Sequence, residues 1–175
     1  MPSEAWKQRV YKQQWYPGET ISVAIGQGAV VVTPMQVAYS VGGLALGGVF
    51  RQPHLLMSDQ PAPEIAFPLA ASTVETVSQG LYGVVNEPGG TAYGTLHIGS
   101  AGADLAAIEL SGKTGSAQVI SNDLLKKQGR GADQKDNAWF VGFAPRRNPE
   151  IVVAVPIQGG EHGATAAAPI ARDIV

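Results

Sequence analysis

Gly112-Lys113-Thr114-Gly115-Ser116-Ala117-Gln118 puts one ammonium and two hydroxyls around a residue with no side chain. Those groups suit the capture of a carboxylate. Lys113 supplies a compact positive charge with three donors. Thr114 and Ser116 supply neutral donors. Gly115 lets a second extended backbone approach and pair with a strand edge. The preceding Ile108-Glu109-Leu110-Ser111 alternates apolar and polar, so a strand is expected to lead in, over roughly residues 107–119. Strict alternation puts Lys113 and Thr114 on opposite faces of that strand, so the lysine stem has to curl round to share one cleft with the hydroxyls. A Lys-Thr-Gly triplet alone is a weak signal, and a strand ending in a glycine turn is the plainer reading.

Other chemistry-bearing residues are less organised. His54, His97 and His162 are far apart and share no ligand spacing, so structural roles are expected. Glu161-His162-Gly163 sits in a small-residue stretch with no fixed partner and is read as surface. Trp139 and Phe143 have the spacing of one sheet face and are read as core, not as a sugar-stacking platform. There is no cysteine, which excludes disulfides and thiolate metal sites. Lys plus Arg is 12 against Asp plus Glu at 14, and no basic block occurs, so nucleic acid is not an expected partner. None of the serines has a lysine three residues on or an asparagine two residues on.

These residues have to be held by a chain of one domain's length, 175 residues, with an ordinary 45% hydrophobic content. Residues 6–16 are mixed aromatic and basic with no clear period. Tyr16-Pro17-Gly18-Glu19 reads as a turn. From Thr20 to Phe50 no residue is charged, but Gln27, Pro34, Gln36 and several glycines break the stretch. It is read as a buried strand or loop and then a core helix, not as a membrane span. Gly26-Gln27-Gly28 is read as a flexible corner.

Thr33 is the expected N-cap of that helix, with Pro34 at its first position and Gln36 completing a capping box. Val37, Val41, Leu44 and Ala45 fall on one face, and Gly47-Gly48 ends it. An extended segment is expected over 49–57 and a loop over 59–68. Ser72 with Glu75 predicts a second capped helix with Val74, Val77, Leu81 and Val84 inward, ended by Asn86-Glu87-Pro88-Gly89-Gly90. Residues 94–104 read as a loop, and 121–135 as a long surface excursion near a site mouth. Two strands, 139–144 and 151–157, are joined by a hairpin. Both are apolar on each face, so helices are expected on both sides of their sheet. Residues 159–168 read as a loop before a short last helix.

The Lys113-Thr114-Gly115-Ser116 run resembles the third active-site motif of penicillin-binding proteins and serine β-lactamases. Asp136-Asn137-Ala138-Trp139-Phe140-Val141-Gly142-Phe143-Ala144-Pro145 resembles the strand that follows it in class B penicillin-binding proteins. Gly18 to Gly28, Thr33-Pro34-Met35-Gln36 and Gly90-Thr91-Ala92 are similar to segments of the same family. The likeness is strongest to its elongation-specific, rod-shape branch and runs from about Pro17 to the last residue.

The resemblance implies an α+β transpeptidase fold, of which this chain would be the C-terminal part, with three antiparallel strands flanked by helices. The family's Ser-x-x-Lys and Ser-x-Asn motifs, absent here, would lie in an upstream part whose two strands would complete the sheet beyond the 151–157 strand. It implies serine acyl transfer on D-Ala-D-Ala stem peptides of peptidoglycan, and acylation by β-lactams. Lys113 and Ser116 are the implied catalytic residues. Lys113, Thr114, Gly115 and Ser116 are the implied substrate-binding set, and the Ser116 N–H is half of an oxyanion hole. No metal or organic cofactor is implied. A glycosyltransferase partner and a place on the periplasmic face of the inner membrane are. A β-lactamase, a carboxypeptidase or a non-catalytic binding module are the alternatives. The chain alone is expected to be inactive.

Overall fold

Three antiparallel strands run in spatial order β3 (Ser111–Ala117), β4 (Asn137–Ala144), β5 (Ile151–Ile157). The computed structural model describes residues 2–56, 62–98, 105, 107–118 and 135–175. The expected excursion over 121–135 therefore falls outside the described residues, apart from Lys135. The chain divides into two units, residues 1–33 and 34–175.

In the first unit the stretch with no clear period is helical. α1 spans Glu4–Tyr11, with the Ser3 hydroxyl accepting the Trp6 N–H at 3.2 Å. α2 spans Pro17–Ala24, where a turn and then a buried strand or loop were expected. Pro17 takes the first helical position, where its missing N–H costs nothing. The Glu19 carboxylate accepts the Tyr16 N–H at 2.8 Å. Ile21 and Ile25 are exposed, not buried. Lys7 ties the helices together: its ammonium pairs with Glu19 at 2.7 Å and lies 5.0 Å from the centre of the Tyr16 ring. That pairing holds the Glu19 carboxyl below the usual carboxylate range. Gly26 is a defined cap. With φ +73 it is the left-handed residue of a Schellman ending, in which Gln27 N–H reaches the Ser22 carbonyl and Gly26 N–H the Val23 carbonyl.

In the second unit α3 (Pro34–Ala45) begins at the expected proline. It ends in the same way, with Gly47 at φ +71 and Gly48 N–H on the Gly43 carbonyl. β1 (Val49–Phe50) pairs antiparallel with β2 (Ile65–Ala66), inside the stretch read as loop. α4 spans Ala71–Asn86 and starts one residue before the expected cap. Ser72 is thus inside the first turn, where its carbonyl accepts the Thr76 hydroxyl. Glu75 does not close a capping box; it pairs with Arg146 of the β4–β5 hairpin at 2.8 Å. The Arg146 guanidinium holds the Glu75 carboxyl below its ordinary range. The inward face of α4 is centred on Ser78 and Val85, with Val77 exposed, so the apolar face is rotated from the expected one.

α5 (Tyr93–Leu96) replaces the start of the expected 94–104 loop, and Leu96 is fully buried. The 159–168 loop is also partly helical: a π-helical turn, Gly163–Ala167, runs into α6 (Ala168–Ile174). Small residues make this possible, because Ala167, Ala168 and Ala171 pack with no exposed surface against the sheet.

Cross-strand register sets the faces. Ala138, Phe140 and Ala144 of β4 share a face with Val153 and Val155 of β5 and build the core with Val85, Ala92, Leu96 and α6. On the other face Phe143 is buried and Val152 lies against Gly42 of α3. Helices cover both faces, as the two-sided apolar pattern requires. Trp139, read as core with Phe143, is only half-buried; Phe140 is the central aromatic. Among the described residues no helix is long and apolar enough to cross a membrane.

Candidate functional site

β3 is shorter at its start than the alternation suggested. Residues 107 and 108 are helical, and Glu109 turns the chain at φ +48 before Ser111 begins the strand. The apparent alternation there is a helix end, and Leu110 is buried for packing. Within the strand, Gly112 has no room for a side chain: a Cβ would collide with the Phe140 ring. Gly115 differs. A Cβ there would meet only the Trp139 Cβ, at 3.4 Å, an ordinary contact.

β4 covers one edge of β3; among the described residues no strand pairs with the other. Thr114 sits opposite Phe140 and Ser116 opposite Ala138, so both hydroxyl residues share one face. Lys113 and Gly115, opposite Val141 and Trp139, belong to the other face. The exposed lysine stem folds along the strand, and its ammonium donates to the Thr114 carbonyl at 2.7 Å. The charge thus lies against the strand backbone at Thr114.

Each hydroxyl has a neighbour that the sequence did not assign to the site. Thr91 Oγ1, from the turn before α5, is 2.8 Å from Thr114 Oγ1. The Ser116 hydroxyl donates to the Glu161 carbonyl at 2.6 Å. Glu161 has φ +61, an uncommon conformation for a residue with a side chain. Its N–H donates to the Asp136 carbonyl at 2.8 Å, and its carboxylate pairs with Lys135 at 3.2 Å. Gly163 begins the next helix so close to β3 that a Cβ would lie 2.8 and 2.9 Å from the Gly115 oxygen and nitrogen. The loop read as free surface is therefore fastened to the far end of the motif strand. Composition hid this, since the fastening uses backbone atoms. His162 is exposed, and His97 Nε2–H donates to the Val85 carbonyl at 3.0 Å while the ring stacks on Tyr93, a packing role.

The arrangement offers a cation, a pair of hydroxyls on one face and an unpaired strand edge. It can bind an extended peptide that carries a carboxylate.

Known proteins match the whole chain. The model of the penicillin binding protein transpeptidase domain matches residues 2–175. The peptidoglycan D,D-transpeptidase MrdA of Salmonella typhimurium is 35% identical over 193 residues, covering 100% of this chain and 29% of that protein. The Haemophilus influenzae MrdA is 36% identical over 189 residues, covering 100% of this chain and 28% of its own length. Among solved structures, Helicobacter pylori PBP2, in a complex with MreC, superposes with a TM-score of 0.79 at 28% identity, covering 98% of this chain and 29% of that one. Pseudomonas aeruginosa PBP2 in complex with WCK 5153 gives 0.74 at 35% identity, covering 99% of this chain and 36% of that one. The chain thus spans about a third or less of these proteins. With a family model matched over nearly its whole length, and a fold and motif strand that agree with it, the chain belongs to the penicillin-binding protein transpeptidase family.

Proposed function

We propose that this chain is the C-terminal part of a serine-type D,D-transpeptidase domain that cross-links peptidoglycan, and that β3 is its substrate-binding strand. The observation that carries the reading is the pair of hydroxyls, Thr114 and Ser116, on one face of a strand edge that is unpaired among the described residues, with the Lys113 ammonium on the Thr114 carbonyl. A stem peptide ending in D-Ala-D-Ala, or a β-lactam, would lie along this edge. Its carboxylate would take the Thr114 hydroxyl within the field of Lys113, and the Ser116 hydroxyl only on leaving the Glu161 carbonyl that it donates to here.

The nucleophilic serine belongs to an upstream segment. Its oxygen attacks the penultimate D-Ala carbonyl, the terminal D-Ala leaves with a proton as free amino acid, and the serine ester passes to an amine of a second stem. The Ser116 N–H would hold the oxyanion of that step, a donor of the kind worth about 3–4 kcal/mol. Lys113 would bias the protonation of the groups around the nucleophile.

The relatives' names support peptidoglycan as substrate, and the MreC complex of the Helicobacter pylori protein supports an assembly partner of that type. A glycosyltransferase partner and the periplasmic face of the inner membrane follow from the same reading.

The test is Lys113→Ala in the complete domain. Lys113 is exposed and its removal should leave the fold intact. Acylation by benzylpenicillin should fall at least about tenfold, the usual consequence of losing a hydrogen bond to a charged group. Acylation at the wild-type rate would overturn the assignment.

A further inference from the structure

We propose that Thr91 is a positioning residue for the carboxylate subsite, setting the direction in which the Thr114 hydroxyl donates. The inference rests on the transpeptidase reading above. Thr91 Oγ1 and Thr114 Oγ1 are 2.8 Å apart. Each hydroxyl has one proton and two lone pairs, and only one proton can occupy the bond between them. Thr114 can therefore give its proton to a ligand only when Thr91 is the donor of the pair. The chain then runs from the Thr91 hydroxyl to the Thr114 oxygen, and from the Thr114 hydroxyl to the carboxylate. Each bond polarises the next in the same sense. A bound anion favours this order over its reverse, in which Thr114 would turn a lone pair towards the carboxylate.

Thr91 is held to make that contact. On its N-terminal side Gly90 lies against α4 so closely that a Cβ would collide with the Gly83 and Val84 carbonyls. On its C-terminal side the Ala92 N–H donates to the Val84 carbonyl at 3.0 Å, and Ala92 is fully buried. The same helix end holds the start of the motif strand. Asn86 Nδ2 donates to the Leu110 carbonyl at 2.8 Å and to the Tyr82 carbonyl at 3.1 Å. One element thus fixes Thr91 directly and Thr114 through the strand. Thr91 itself stays exposed, so its hydroxyl sits at the open side of the site and not within the core.

The experiment measures acylation of the complete domain by benzylpenicillin and by its methyl ester, which lacks the anion, resolving binding from the chemical step. Thr91→Val keeps the shape and removes the hydroxyl. It should weaken binding of benzylpenicillin roughly three- to tenfold with little change in the chemical step, as for loss of one neutral hydrogen bond that polarises the donor to the anion. The ester's rate should stay within about twofold, because neutral acceptors gain far less from an oriented donor. Thr91→Ser should restore the wild-type behaviour, and Thr91→Ala should behave as Thr91→Val. Equal losses for acid and ester, or a wild-type rate in Thr91→Val, would overturn the proposal while leaving the transpeptidase reading in place. Failure of the unaltered domain to be acylated at all would overturn both, and the wild-type control shows which has failed.

Discussion

A methyl group added at Gly112 would run into the Phe140 ring, whereas one added at Gly115 would find an ordinary neighbour at 3.4 Å. Packing therefore explains the first glycine and not the second. Gly112→Ala should destabilise the fold by about 1–3 kcal/mol, the usual cost of overpacking a core; a denaturant titration measures it. Gly115→Val should leave the melting temperature nearly unchanged but sharply slow β-lactam acylation in the complete domain, because a branched side chain would stand where the ligand's backbone pairs. Normal acylation in that variant would remove the edge-pairing picture. Lys113, Thr114, Gly115 and Ser116, the proposed binding set, were singled out by residue type and order together with the family resemblance. Thr91 and Glu161 were not. Thr91 lies 23 positions before its partner, and Glu161 acts on Ser116 through a carbonyl that every residue has.

α4 carries more of the site than its sequence suggests, since its C-terminal end sets both Thr91 and the start of β3 while its first turn holds the β4–β5 hairpin through Glu75 and Arg146. The Glu75 carboxyl is held below its ordinary range by the hydrogen bond and charge of Arg146. A lowered folded-state pKa stabilises above the unfolded pKa and is lost as pH falls through the folded one. Stability should therefore decline on acidification below the usual carboxylate range, and Glu75→Gln should flatten that decline. Thermal melts of both proteins between neutral and acidic pH measure it; parallel curves would show the pair to be inert. Elements with strong periodic signals, α3 and β5, were legible almost to the residue. α2 was not, because Pro-Gly-Glu opens turns and helices with equal ease. The last helix was legible from Pro169 onward, but the helical turn before it, Gly163–Ala167, was hidden by its small residues, which give no amphipathic contrast. The Ile108–Leu110 alternation was a coincidence of a helix end with a left-handed Glu109.

At the scale of the molecule, the three-strand sheet has helices on both faces and free edges at β3 and β5 among the described residues. The β3 edge is the one proposed to receive the ligand. The β5 edge carries Ile151, 38% exposed, and an exposed apolar edge invites association. The chain expressed alone should self-associate, which size-exclusion chromatography would register. The chain holds the proposed binding strand and no serine with a lysine three positions on. The most direct measurement is covalent labelling by a fluorescent penicillin, followed by peptide mapping. The isolated chain should stay unlabelled, and the complete domain should carry one adduct per molecule on a serine upstream of this chain, reduced by Lys113→Ala. A stoichiometric adduct on any serine between Ser3 and Ser121, blocked by prior ampicillin, would contradict the division of labour argued for β3.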